Sequence, residues 1–298
     1  MRRPESRIAL SAICLAGFLM QLDVTIVNVA LPSIQRELGA TPGDLVWVIS
    51  GYALSLATTI PVVGTLGDRW GHRRVLQAGL AWFGLCSVAA ALAPGAGWLI
   101  AARIGQGVGG AAMLALTLAV LNDVFPLERR GSAIGWWAAL GGTGFGAGPV
   151  VGGVLLGLGR WPAIFWINVP LVALAMLLIA RAIPGSDAGM GPVRRPLDVA
   201  GALLAMVGVG AVTFGLIGFR WVPMLAGVLV LGILVMQQRS ARDPLVPAPV
   251  RRDRVFVIAC LVYFTSYLAS AARSISSRCC SRICGAGRRC VPGCPGCS

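Results

Sequence analysis

Nine runs of apolar residues, most of them about 20 residues long, leave this chain few folds to choose from. They cover 8–31, 45–66, 75–93, 97–121, 132–157, 163–181, 198–218, 221–237 and 254–271. A helix of about 20 apolar residues crosses the hydrocarbon core of a bilayer. A membrane β-barrel would need alternating strands of about ten residues, a pattern these runs lack. The breaks between them, such as "ELGATPGD", "GDRWGHRR", "LAPGAGW" and "FPLERRG", combine turn residues with charge. Only 12% of the 298 residues are charged, against about 25% in ordinary soluble domains. The expected fold is an all-α polytopic membrane protein, with six spans, a linker and about three further spans.

All 25 basic residues are arginine. With the N-terminus inside, sixteen of them fall in inside segments, among them Arg69, Arg73, Arg74, Arg129, Arg130, Arg194 and Arg195. Leaving aside the tail, whose five arginines an odd span count would place outside, only Arg36, Arg160 and Arg220 fall in outside loops. That asymmetry places the N-terminus in the cytoplasm. It also makes the net charge of +14 a property of loops, which argues against a nucleic-acid partner. The first run is too long for the apolar part of a signal peptide and reads as a retained helix.

The chain divides into a six-span bundle (1–181), a cytoplasmic linker rich in Gly and Pro (182–197), an extra pair of spans (198–240), one more span (241–272) and a tail (273–298). The tail holds six of the nine cysteines. Its Cys294–Cys297 pair lacks a second pair at zinc-site spacing. A disulfide-linked external tail is an alternative. The preferred expectation is a frameshifted end, because out-of-frame GC-rich DNA encodes Arg, Gly, Pro, Ser and Cys.

Within "FLMQLDVTIVNVALP", Asp23 places a carboxylate inside a span. Such a group faces protein or water, and marks a functional candidate. Asp23 lies about 12 Å from the outer end of its run and Arg103 about 9 Å from the outer end of the fourth, at 1.5 Å per residue. The two depths allow an ion pair. At 100° per residue, Gln21, Thr25 and Asn28 share one face of the first helix, and Asp23 points nearly opposite. Either face is left open as the cavity side. Gln21, Thr25, Asn28 and, on the fourth span, Gln106 are the substrate-cavity candidates.

In "GTLGDRWGHRR", Gly64 and Gly71 are expected to allow close approach and a tight turn. Asp68 is expected to pair with arginines or sit at a helix N-terminus. Gly144, Gly148 and Gly152 recur at four-residue spacing, with Gly153 alongside, a pattern that packs membrane helices backbone to backbone. Pro149 among them favours a bend. Trp136, Trp137, Trp161 and Trp166 are read as interfacial belt residues. His72 is the only histidine, so no His-based catalytic or metal cluster can form. "GQGVGG" lies inside a span, where a dinucleotide loop has no strand to follow. No enzyme activity, metal or cofactor is expected.

Four segments then carry a resemblance. "GTLGDRWGHRR", "RIGQGVGGA", "GFGAGPVVGG" and "LDVTIVNVALP" resemble motifs of the major facilitator superfamily, in particular drug/proton antiporters of its fourteen-helix branch. The resemblance covers about residues 8–272. It implies export of small amphipathic compounds, including drugs and antibiotics, across the cell membrane, driven by a proton gradient. Two helix bundles would rock around a midplane site. It implies a proton-coupling role for Asp23 and Arg103, with a static structural pair as the alternative. The segment holding Gly64, Asp68, Arg69, Gly71, Arg73 and Arg74 would be a cytoplasmic gating loop. The fifth-helix Gly144, Gly148, Pro149, Gly152 and Gly153 would pack against the other bundle and limit proton leak. Membrane lipid, a small-molecule substrate and protons are the implied partners.

Two departures stand out. His72 occupies a position where arginine is usual, which weakens the loop's charge. Of the second six-helix bundle, only one helix, 254–271, precedes the tail. A truncated, non-transporting remnant and a half-transporter completed by a second chain are therefore the alternative expectations.

Overall fold

The computed structural model describes residues 3–183, 199–217, 221–240 and 258. The chain divides into two units, 1–241 and 242–298. The second has a single described residue, so the span expected at 254–271 and the tail lie outside the described residues. Nearly all of the expected 182–197 linker does too.

The described residues form helices, with no strand among them: α1 (Arg3–Leu38), α2 (Pro42–Trp70), α3 (His72–Ala91), α4 (Ala96–Val124), α5 (Leu127–Leu158), α6 (Ala163–Trp166), α7 (Asn168–Ala182), α8 (Val199–Ile217) and α9 (Trp221–Ser240). Seven segments are long and apolar enough to cross a membrane, counting α6 and α7 as one. In α8 the shorter stretch Leu203–Val212 is apolar.

Helices α1, α2, α4 and α5 outrun their apolar runs at both ends, because polar flanking turns continue them. Between α1 and α2, Gly39 takes a φ of 60°, a left-handed stop that glycine makes at low cost. Thr41 then caps α2. Its hydroxyl accepts from the Asp44 N–H at 3.2 Å, and the Asp44 carboxylate accepts from the Thr41 N–H at 2.9 Å. Pro42 opens the helix where no N–H partner is needed. The sixth span breaks at Ile167. The break puts Pro170 in the first turn of α7, where its missing N–H costs nothing.

Helix α1 packs on α5 and α7, α4 lies against α2 and α3, and α3 also meets α7. Helices α8 and α9 pair, and α8 leans on α2, where Trp47 and Phe214 bring their rings to 5.6 Å. The Gly144–Gly148–Gly152 stripe of α5 faces α1 within this bundle, whereas the expected contact was the other bundle. A Cβ on Gly148 would collide with Thr25 Oγ1, and one on Gly144 with the Phe18 carbonyl. Gly153 points to open space. Tight packing on α1 thus explains the stripe, but not Gly153.

The core falls into two apolar clusters. One includes Ile13, Leu19, Leu80, Phe83, Met113, Val120, Val172 and Ile179. The other includes Ile26, Ile34, Val48, Ala90, Leu99, Ala102 and Phe165. Where α1, α3, α4 and the α6–α7 segment pass from one cluster to the other stands a buried polar residue: Asp23 on α1, Ser87 on α3, Arg103 and Gln106 on α4, Asn168 at the start of α7.

Candidate functional site

Burying a carboxylate is tolerable only with charge and hydrogen-bond partners. Asp23 is fully buried and Arg103 is 2% exposed. One Arg103 Nη1 donates to Asp23 Oδ2 at 2.5 Å and to Gln106 Oε1 at 2.9 Å. Arg103 Nε donates to the Val48 carbonyl of α2 at 3.2 Å. The guanidinium lies 4.3 Å from the Tyr52 ring centroid, a cation–π contact. The second Asp23 oxygen accepts from Asn168 Nδ2 at 2.9 Å and, more weakly, from Gln106 Nε2 at 3.5 Å. Ser87 Oγ accepts from Gln106 at 2.6 Å and from Asn168 at 3.3 Å. The result is one charge pair inside a ring of neutral amides and a hydroxyl, closed off from solvent.

The glycines of "RIGQGVGGA" make this seat. A Cβ on Gly107 would collide with Ser55 Oγ and the Tyr52 carbonyl of α2. Gly109 lies equally close to α3, against Phe83 and the Gly79 carbonyl. Helix α4 is thereby wedged deep between α2 and α3, which brings Arg103 and Gln106 to Asp23. Tyr52 Oη and Asn168 Oδ1 are buried there without a protein partner.

The structure separates the four substrate-cavity candidates. Gln106 belongs to the Asp23 cluster, with both ends of its amide engaged. Thr25 is buried against Gly148 and bonds back to its own helix at Gln21 and Leu22. Gln21 neighbours Gly141 of α5. Asn28 is exposed and donates to the Val24 carbonyl. These four do not line one cavity: Asp23 points to α4 and α7, and the Thr25 face points to α5. A groove of about 710 Å³ lies elsewhere, among α2, α3 and α4, lined by Leu66, Arg69, Trp70, Arg74 and Trp82 among others.

The α2–α3 turn is a second polar cluster. Gly71 takes a φ of 93° and donates to the Gly67 carbonyl at 2.8 Å. The turn expected at Gly71 is there. Gly64 has only open space beside it, and the close approach falls at Gly67, against Leu116 and His72. Asp68 bonds His72 rather than an arginine: His72 Nε2 lies 3.1 Å from Asp68 Oδ1. His72 Nδ1 lies 2.6 Å from Asp123 Oδ2 at the end of α4. His72 therefore joins two carboxylates, one from α2 and one from α4. It stands in the polar first turn, ahead of the apolar run that begins at Val75. Burial alone would lower its pKa. The hydrogen bonds and charges of Asp123 and Asp68 outweigh that and raise it above the ordinary value. Arg73 donates to the Ala180 carbonyl at the end of α7 at 3.0 Å, and Arg69 and Arg74 are exposed.

Sequence reading missed Ser87, Asn168 and Asp123. Each is a single polar residue whose partners come from distant segments. Asn168 leaves the clearest trace, as an amide within an apolar run. The tryptophans divide: Trp136 and Trp166 are exposed, but Trp161 is buried edge-on against Phe165, and Trp137 is half-buried near Gly17.

With the geometry set, similarity decides the family. A model of the Major Facilitator Superfamily matches residues 13–277. The chain belongs to the major facilitator superfamily. An uncharacterized MFS-type transporter of Mycobacterium tuberculosis is 37% identical, over 84% of this chain and 44% of its own length. The methyl viologen resistance protein SmvA of Salmonella typhimurium is 33% identical, over 83% and 51%. The methylenomycin A resistance protein of Streptomyces coelicolor is 36% identical, over 83% and 54%. The chain spans about half the length of the curated relatives it matches. In fold it is similar to the human organic anion transporter MFSD10, with a TM-score of 0.54 over 70% of this chain and 55% of that one, at 17% identity. As a major facilitator superfamily chain it is a multi-pass membrane protein of a transporter family, and not an enzyme.

Proposed function

We propose that this chain forms the proton-coupling half of an exporter of small amphipathic compounds in the cell membrane, with its N-terminus in the cytoplasm. The observation that carries the reading is the buried Asp23–Arg103 pair, set at the border between the two halves of the core. Arg103, Asn168 and Gln106 all donate to the Asp23 carboxylate. Withdrawal of Arg103 would leave a desolvated carboxylate that takes up a proton. A bundle that rocks between two states can supply both conditions. Relatives named for resistance to methyl viologen and to methylenomycin A support the substrate class.

A second reading concerns assembly. Helix α5 leaves Phe145, Val150, Val154 and Leu158 exposed. Together with the half-length match, this favours a pathway completed by a second bundle, from a further segment or another chain. The test uses everted membrane vesicles from a pump-deficient host expressing the chain, acidified inside by respiration. Adding methyl viologen should release protons into the medium, seen with a pH-sensitive dye. No release above vesicles lacking the chain would remove the exporter reading for this chain on its own.

A further inference from the structure

We propose that His72, held between Asp68 and Asp123, is a second proton-binding site, and that its occupancy ties the α2–α3 turn to the end of α4. Both ring nitrogens lie within hydrogen-bond reach of carboxylate oxygens, at 2.6 and 3.1 Å. Ionised carboxylates only accept. A neutral imidazole has one N–H, so one of these contacts would set a nitrogen lone pair against a carboxylate oxygen. The imidazolium has two N–H groups and satisfies both. The arrangement is therefore that of the protonated ring, and deprotonation breaks one of its two bonds.

The surroundings reinforce this. Asp68 comes from α2 and Asp123 from α4, and both are more than half exposed, so water and protons reach them. Gly67 lets the ring in close: a Cβ there would sit 3.1 Å from it and would collide with Leu116. Of the other charges at this end, Arg73 on α3 is turned to the Ala180 carbonyl and Arg130 on α5 to the Phe125 carbonyl. Arg69 and Arg74 share the exposed turn. Histidine is the side-chain type whose ordinary pKa lies near neutral pH. An arginine at position 72 would be charged at every working pH. Histidine there makes the link between three helices depend on pH, whether or not Asp23 carries protons.

As the only histidine, His72 can be observed directly. The full chain is made with 13C-labelled histidine, placed in phospholipid nanodiscs and titrated by NMR. The expected midpoint lies above the free-imidazole value of about 6.5 and falls in Asp123→Asn. Asp68→Asn serves the same purpose should Asp123→Asn fail to fold. Hydrogen exchange over 67–75 is then compared with that of a His72→Arg chain. In the native chain, exchange corrected for its intrinsic pH dependence should rise several-fold as pH passes the midpoint, and in His72→Arg it should stay flat. A midpoint at or below the free value, one unmoved by both carboxylate variants, or identical exchange profiles in the two chains would each overturn the proposal.

Discussion

The Asp23 cluster and the His72 cluster both join separate helices through carboxylates, yet their surroundings are opposite. The first is sealed, with Asp23 and Arg103 at 0% and 2% exposure. Its cation is an arginine, which keeps its charge at any working pH. The second is open, with Asp68 and Asp123 more than half exposed, and its cation is a histidine. Burial makes a broken pair costly and its assembly all-or-none. Exposure makes a pair cheap and leaves it adjustable by solvent. The same bundle thus holds one polar junction where loss of a partner is severe and one where loss is graded.

The largest expected effect comes from orphaning the buried carboxylate. Arg103→Leu should destabilise the bundle by about 3–5 kcal/mol, read as a fall in thermal unfolding temperature in detergent. Replacing both partners, Asp23→Leu with Arg103→Leu, should recover most of that loss. A double variant as unstable as the sum of the two single ones would erase the contrast between the clusters. Next comes the seam that carries Asp23. Gly148→Val forces a side chain into Thr25 and should cost about 1–3 kcal/mol in the same assay; a neutral result would mean that α1 and α5 separate easily.

The open cluster should respond less, and to pH. His72 has a raised folded pKa, so its contribution is fully present below the unfolded value of about 6.5 and is lost as pH rises through the folded value. Melting temperature measured across that window should fall in the native chain by the equivalent of about 1 kcal/mol or less. The His72→Arg chain should lack that fall. Smallest of all, Asn28→Ala removes an exposed amide bonded only to its own helix, and should shift stability by less than about 0.5 kcal/mol.

Much of the fold was legible because apolar runs of span length admit few alternatives. Six runs before the linker became six membrane-length segments, and their polar flanks hid only how far each helix extends. The depths of Asp23 and Arg103 allowed their pairing, since both lie at similar distances from one end of their spans, and the structure makes the pair. The opposition of Asp23 to Thr25 was legible too, because a helix fixes the angle between its own residues. Which neighbour each face meets was not, because periodicity within one helix says nothing about another. Asp123 lies 51 residues from His72, so the bridge that His72 makes could come only from tertiary structure. Ser87 and Asn168 carry no charge and interrupt no run. The α5 glycines announced close packing correctly, and α1 as the partner was equally invisible.

The proposed coupling of proton flow to export runs through the buried Asp23. Its most direct test is dye efflux in a host lacking its own pumps, comparing the native chain with Asp23→Asn, each with and without a protonophore. The native chain should show protonophore-sensitive extrusion against a concentration gradient. Asp23→Asn should lose uphill extrusion while reaching the membrane in equal amount. Uphill extrusion by Asp23→Asn equal to that of the native chain would contradict it.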